Sequence, residues 1–318
     1  MRGWRIALEG VVMPAFNPVL RSATLALLPL ALLGSAGQAH AADWSDTYVS
    51  YRYIPNESAF EADARGGKVD VAKNIVAITH ISGYKYGTNF VNVEILKSDS
   101  NNPAATGTVF PARGSNSGAQ EVFAIYRHDL SLSAVSGSSM KFGPVKDVTL
   151  TAGFNAGSKN DFNGASPRAL LIGPTLQFDL PSGFFSAGVQ AYKETNNSEV
   201  ANFFTKEGAH QTFRTTGQLN LAWGIPFNAG LPAKFKGFLS YTGSKGRGTA
   251  HGDDTKPETL MDALLMFDVG SVWGKKDTWW GGVGYRYWNN KFGNDENLNP
   301  NNRAGHISSV LFQVEAHF

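Results

Sequence analysis

Apolar and polar residues alternate one by one along most of the chain after residue 41. Val148, Leu150, Ala152 and Phe154 alternate with Asp147, Thr149, Thr151, Gly153 and Asn155. Phe185, Ala187, Val189 and Ala191 alternate with Ser186, Gly188, Gln190 and Tyr192. Phe213, Leu219, Leu221 and Trp223 take turns with Arg214, Thr216, Gln218 and Asn220, and Met261, Ala263, Leu265, Phe267 and Val269 flank Asp262 and Asp268. The chain closes on Val310, Phe312, Val314, Ala316 and Phe318 set against Ser309, Gln313, Glu315 and His317, with Leu311 as the exception. A period of two is that of a strand with one oily and one wet face. The pattern predicts twelve strands, near 47–54, 74–83, 89–97, 119–129, 147–156, 168–179, 184–194, 212–223, 235–243, 258–269, 278–288 and 307–318. Most are close to the roughly nine to eleven residues that a tilted strand needs to cross a bilayer.

The connections sort by length. Stretches 82–87, 133–146, 180–183, 224–234 and 273–277 are short or middling. They alternate with longer polar stretches at 55–73, 98–118, 157–167, 195–211, 244–257 and 289–306. Short turns at one end and long loops at the other predict an all-β transmembrane antiparallel barrel, with short periplasmic turns and longer extracellular loops. A soluble sandwich has no reason to sort its loops by end. Tyr51, Tyr53, Trp223, Trp273, Trp279, Tyr285, Tyr287 and Phe318 fall at strand ends, where barrels carry aromatic girdles.

Composition sharpens the picture. Ahead of the strands, "SATLALLPLALLGSAGQAHA" follows Arg21 with an apolar core from Leu25 to Leu33 and small residues around Ala39-His40-Ala41, the layout of a secretory signal peptide. We expect a leader over 1–41, removed before Ala42, and a barrel domain over 42–318; Met13 is a second candidate start. Pro29 interrupts an apolar core already too short to span a membrane as a helix. Removing 41 of 318 residues leaves 277. With Arg2, Arg5, Arg21 and Glu9 gone from 28 basic and 26 acidic residues, 25 of each remain, so no net field draws nucleic acid. There is no cysteine, and an exported chain of this kind holds together without disulfides.

Catalytic and cofactor signatures are absent: no G-x-S-x-G, H-E-x-x-H or Walker A sequence occurs. We expect no enzyme, no cofactor and no metal. Asp295, Asn297 and Asn299 have calcium-loop spacing, but Pro300 stands where such a loop needs Gly and His306 where it needs Glu. A lipid hydrolase on the barrel wall would need Ser and His on neighbouring strands, for which His80 with Ser82 or His317 with Ser309 can be nominated. The chemistry then lies inside the barrel. Parity with the apolar face places Glu94, Glu121, Phe123, Arg127, Gln190, Tyr192, Arg214, Gln218, Lys236, Phe238, Asp262, Asp268, Arg286 and Trp288 in the lumen, with Gln177, Asp179, Glu194, Trp280 and Glu315 beside them. Charges of both signs among aromatic faces suit a flat polar solute such as a nucleoside, since base–aromatic stacking is favourable by about 1–3 kcal/mol. A barrel plugged by its own side chains or by a loop, 98–118 or 289–306, and serving as a surface receptor or structural protein is the alternative.

The stretches "ADWSDTYVSYRY", "ISGYKYGTNFVNVEILKSD", "KFGPVKD", "YRYWNNKFGND" and the terminal Phe strand resemble the nucleoside-specific channel-forming outer-membrane family (Tsx-like, OmpK-like). The resemblance implies a monomeric twelve-stranded barrel in a Gram-negative outer membrane, with a narrow aromatic-lined pore that passes nucleosides. Arg286, Tyr287 and Trp288 match that family's strand eleven, and Glu121, Val122 and Phe123 its acidic-aromatic pattern near strand four. Other pore aromatics find no counterpart, several inward positions being Thr, Ser or Gly. The resemblance further implies a terminal Phe318 read by the barrel assembly machinery, outer-membrane lipid around the wall, and phages or colicins at the long loops.

Overall fold

The computed structural model describes residues 42–58, 70–104, 117–199, 202, 208–247, 254–295 and 305–318. The predicted leader and positions 297 and 299 lie outside these residues. Among those described, strands run over β1 Trp44–Ser58, β2 Asp70–Tyr84, β3 Gly87–Ser98, β4 Gln120–Ser131, β5 Val145–Lys159, β6 Arg168–Phe178 and β7 Phe184–Asn197. They continue over β8 His210–Thr212, β9 Thr216–Asn228, β10 Pro232–Thr242, β11 Glu258–Asp268, β12 Trp279–Asn289 and β13 Ile307–His317. Neighbours are antiparallel throughout. β8 and β9 form one stave beside β7, and β1 pairs with β13, so the sheet closes on itself as a twelve-stranded barrel. Closure leaves no unpaired edge, which is how a sheet satisfies its backbone in hydrocarbon. No helix among the described residues is long and apolar enough to cross a membrane.

Followed around the ring, the pairing returns to β1 about sixteen residues beyond its start; twelve strands with that stagger tilt by about 45° and stand about 12 Å from the axis. One end carries the short links 85–86, 132–144, 179–183, 229–231 and 269–278, along with the start of β1 and the end of β13. The 132–144 link holds a five-residue helix, α1 Leu132–Ser136, and 269–278 a 3-10 turn, Val269–Trp273. The other end carries 59–69, 99–119, 160–167, 198–209, 243–257 and 290–306. Several strands overrun their expected bounds, while β6, β11 and β13 stop one residue short: β9 and β10 pair down to a three-residue link, where the pattern ends at 223 and resumes at 235. Pairing outlasts alternation because both faces meet water beyond an apolar belt.

That belt is on the outside. Val49, Val76, Ile78, Ile95, Leu150, Ile172, Val189, Leu219, Val283, Val310, Phe312 and Val314 are all exposed there. Trp44, Phe184, Phe227, Trp273, Trp279 and Phe318 ring the short-turn end, and Tyr51, Tyr241 and Tyr285 lie towards the long-loop end. A soluble surface rarely carries so wide an apolar patch; a lipid-facing one requires it. Phe213 departs from the expected outward face and is buried. Thr212 lies opposite Thr195 but Thr216 opposite Tyr192, so one extra residue bulges the stave between β8 and β9. A shift of one residue turns a side chain to the other face.

The inward faces of β1–β3 and β11–β13 pack around Ile54, Ile75, Leu96, Leu264, Met266, Trp280 and Leu311, all buried. Leu311, the exception to the alternation, is one of them. The inner faces of these six strands thus share one packed apolar cluster.

Candidate functional site

Charges line that packed wall in pairs. Arg286 on β12 grips Asp262 on β11 with both arms, Nε to Oδ1 at 2.8 Å and Nη2 to Oδ2 at 2.7 Å, across directly opposed register positions. Arg52 on β1 adds Nη1 to the same Asp262 at 3.0 Å and gives Nε to Gln313 at 2.7 Å. Its Nη1 lies 3.8 Å from Glu94 on β3. Towards the short-turn end, Gln313 donates to Glu315 at 2.5 Å and Lys236 pairs with the same carboxylate. His317 stands 3.2 Å from Glu315 and 2.8 Å from Asp46, stacked on Tyr48. Towards the long-loop end, Glu57 accepts from Lys73 at 2.6 Å and from Lys291 at 2.9 Å, and Lys73 reaches Glu121 at 3.5 Å. Such bidentate, charge-assisted contacts are the strong ones, and buried charge of this density survives only when paired.

Three of the long connections turn a polar side chain inward. Lys291, in a 3-10 turn over Lys291–Gly293, is buried with Nζ 4.7 Å over the Trp288 ring. Lys245, 2% exposed, donates to Glu194 at 2.8 Å and lies 4.7 Å over the Phe213 ring. Asn102, fully buried, donates to Asp161 at 3.4 Å. Tyr192 gives its hydroxyl to Glu194 at 2.9 Å, and Trp288 gives Nε1 to Glu258 at 2.6 Å. The mouth at this end is crowded.

The wall from β4 to β10 is different. Asn220 donates to Gln190 at 2.6 Å, Gln190 to Thr175 at 2.9 Å, Thr175 lies 2.6 Å from Thr151, and Thr151 donates to Asp129 at 2.5 Å. Gln218 sits beside this belt, donating to Thr242 at 2.7 Å. Arg127 on β4 makes no ion pair. Its Nη1 donates to the carbonyls of Tyr126 at 2.7 Å and Phe154 at 3.0 Å, and its side chain lies over Gly153, where a Cβ would stand 2.7 Å from Arg127 Cδ. Inward positions that stay partly exposed on this side are Arg127, Asp129, Asn220, Phe238 and Ser240, whereas Phe123 packs against the apolar cluster of the other wall. Phe238, 36% exposed, is reached by solvent from inside the barrel, its neighbours being Ala222 and Asp262. Solvent-accessible polar and aromatic side chains therefore remain on the inner faces of β4, β9 and β10.

The structure brings Glu94, Asp262 and Arg286 into one network through Arg52, and Glu121 into the adjoining one through Lys73. Two further positions do other work. Asp268, fully buried, caps the 3-10 turn by accepting from Ser271 N at 3.1 Å and Asp277 N at 2.9 Å. Arg214 falls in the bulge between β8 and β9, exposed, with its stem against Gly246. Asp179 is not inside: it lies past the end of β6, half-exposed, bonded by Lys141 at 2.9 Å, because the strand ends at Phe178. Arg52, Lys73, Lys245, Lys291 and Asp129 went unselected in the sequence. Parity alone marks Arg52, Lys73 and Asp129, whereas nothing marks the two loop lysines. Neither nominated serine–histidine pair forms: His80 Nδ1 is 2.7 Å from Thr47 Oγ1, and Ser309 bonds the carbonyl of Val310 at 3.0 Å. No metal-holding cluster occurs among the described residues, and Asp295 pairs with Lys256 at 3.3 Å.

No family model and no curated protein matches the chain. Among solved structures, it is similar to the translocator domain of the autotransporter NalP from Neisseria meningitidis (11% identity, 94% of this chain and 98% of that chain, TM-score 0.40). It is also similar to the NanC porin (10% identity, 86% and 99%, TM-score 0.42). A third is OccAB2 of Acinetobacter baumannii (10% identity, 88% and 99%, TM-score 0.31). At such low scores and identities these likenesses carry nothing about solute or activity. The nucleoside-channel resemblance rests on the sequence alone.

Proposed function

We propose that the chain is a Gram-negative outer-membrane channel that passes small polar solutes by facilitated diffusion, nucleosides in particular. The observation that carries this reading is the accessible inward face of Phe238, with the amide of Asn220 and the hydroxyl of Ser240 near it on β9 and β10. A filled barrel would bury such a ring. A ring for stacking beside uncharged hydrogen-bonding groups offers a base and a sugar weak, exchangeable contacts, as conduction requires. The apolar belt and its two aromatic girdles support a membrane location, and the 78% exposure of Phe318 at the short-turn end supports its being read by assembly machinery. On this reading catalysis has no part, and phages or colicins would meet the long connections.

Liposome swelling with purified protein tests it. Adenosine and thymidine should enter well ahead of arabinose, and Phe238→Ala should reduce the nucleoside advantage several-fold, since about 1–3 kcal/mol of stacking goes with the ring. Equal entry of all solutes in the parent protein would contradict nucleoside selectivity. A second reading, a plugged barrel serving as a surface receptor, is favoured by the inward Lys245, Lys291 and Asn102; it predicts no entry of any solute.

A further inference from the structure

The search for groups left unused by the paired network converges on two residues of β4. Arg127 and Asp129 lie on one face, two residues and so about 7 Å apart, in the half of the strand nearer Ser131 and the short-turn end. The guanidiniums and ammoniums of the paired network described above each have a carboxylate partner. Arg127 has none: it is held by two main-chain carbonyls through Nη1, which leaves Nε and Nη2 for the bore. Gly153 supplies the space for it to lie against the wall.

Asp129 is the complementary case, a carboxylate with no cation in contact. Its oxygens accept from Thr151 at 2.5 Å and Thr88 at 3.5 Å. Because Thr151 spends its one proton on Asp129, Thr175 must donate to Thr151, Gln190 to Thr175 and Asn220 to Gln190. One unbroken run of donors thus leads from Asn220 to Asp129, while Asn220 gives a second bond to Gln218 at 3.0 Å, and each bond of the run polarises the next in the sense that favours negative charge at its end.

We propose that Arg127 and Asp129 form a subsite for zwitterionic solutes, α-amino acids as a class, with the solute carboxylate on Arg127 and its ammonium on Asp129. The fit is one of sign: a cation and an anion share one inward face of β4 two residues apart, and an α-amino acid carries its carboxylate and ammonium on a single carbon. A solute of one sign would meet attraction from one residue and repulsion from the other. The subsite rests on the channel reading and adds a solute class to it.

Liposome swelling with four solutes of similar size separates the outcomes: serine, a neutral polyol, anionic glycerate and cationic serinamide. Serine should enter about threefold faster than the polyol, the modest preference that solvent-screened ion pairs confer. In Arg127→Gln the serine-to-polyol ratio should fall to unity and serinamide should gain on glycerate. In Asp129→Asn, which keeps a side chain of the same shape, glycerate should gain on serinamide. Folding of both variants is checked by heat-modifiable gel mobility, and Lys141→Gln, outside the barrel, serves as the control. Serine and polyol entering equally in the parent protein, or ratios unmoved in both variants, would overturn the subsite while leaving the channel intact. No entry of any solute, the polyol included, would overturn the channel reading and the subsite with it.

Discussion

Asp262 shows what a single carboxylate does inside this barrel. It is 1% exposed and answers two guanidiniums, Arg286 with two bonds and Arg52 with one. Removing it takes the nearest carboxylate from both cations and leaves only longer contacts, Arg286 to Glu57 at 3.5 Å and Arg52 to Glu94 at 3.8 Å. Asp262→Ala should therefore destabilise the barrel by about 3–5 kcal/mol, the usual cost of breaking a buried ion pair from one side. The urea midpoint of unfolding, followed by tryptophan fluorescence in detergent, measures it, and an unchanged midpoint would contradict the network's role. Asp179 is the contrasting case at the surface. The hydrogen bond from Lys141, and then its charge, hold the Asp179 carboxyl below the usual carboxylate range. A depressed carboxyl contributes stability above its unfolded value and loses it as the pH falls through the folded one. Carboxyl NMR titration should show Asp179 returning to the ordinary range in Lys141→Gln. In the sequence both aspartates read as lumen residues. Parity tells which face a residue takes, but neither where its strand ends nor which partner meets it.

Elements explain where alternation serves as a guide and where it fails. The twelve predicted strands all form, because an apolar outer face and a polar inner face leave a strand only one orientation between lipid and lumen. Leu264, Met266 and Leu311 break the rule by turning inward, where they fill space between the charged pairs. Leu311 already stands out in the sequence as the exception to the alternation, whereas nothing there singles out Leu264 or Met266. Phe213 failed for a second reason: the bulge between β8 and β9 shifts the parity by one, and nothing in the local sequence announces it. β4 and β5 carry the consequence for the bore. Arg127 lies flat because Gly153 opposes it in the register. Gly153→Leu should push the guanidinium towards the axis and lower conductance with no loss of strand content, measured by planar-bilayer recording and circular dichroism. Unchanged conductance would mean that the bore does not pass this wall.

At the scale of the molecule, twelve tilted strands enclose a lumen between the filled eight-strand barrel and the wide sixteen-strand pore. Such a lumen can be filled or open, and here its two sides differ. β1–β3 with β11–β13 are packed with leucine, isoleucine and paired charge, whereas β4 and β10 keep Phe238, Arg127 and Asp129 within reach of solvent. The barrel itself was legible from periodicity and from the sorting of loops by length. The uneven filling of the lumen was not, since it depends on side chains from strands far apart in sequence meeting inside the barrel, as Arg52 meets Asp262. Nor were Lys245 and Lys291 legible, since a lysine in a polar loop looks the same whether it faces water or turns inward. The most direct test is single-channel recording of the purified, refolded barrel in a planar bilayer. An open bore predicts discrete conductance steps of small amplitude, lowered by Gly153→Leu and raised by Phe238→Ala. A heat-modifiable, fully folded barrel that inserts and yet passes no current would contradict it.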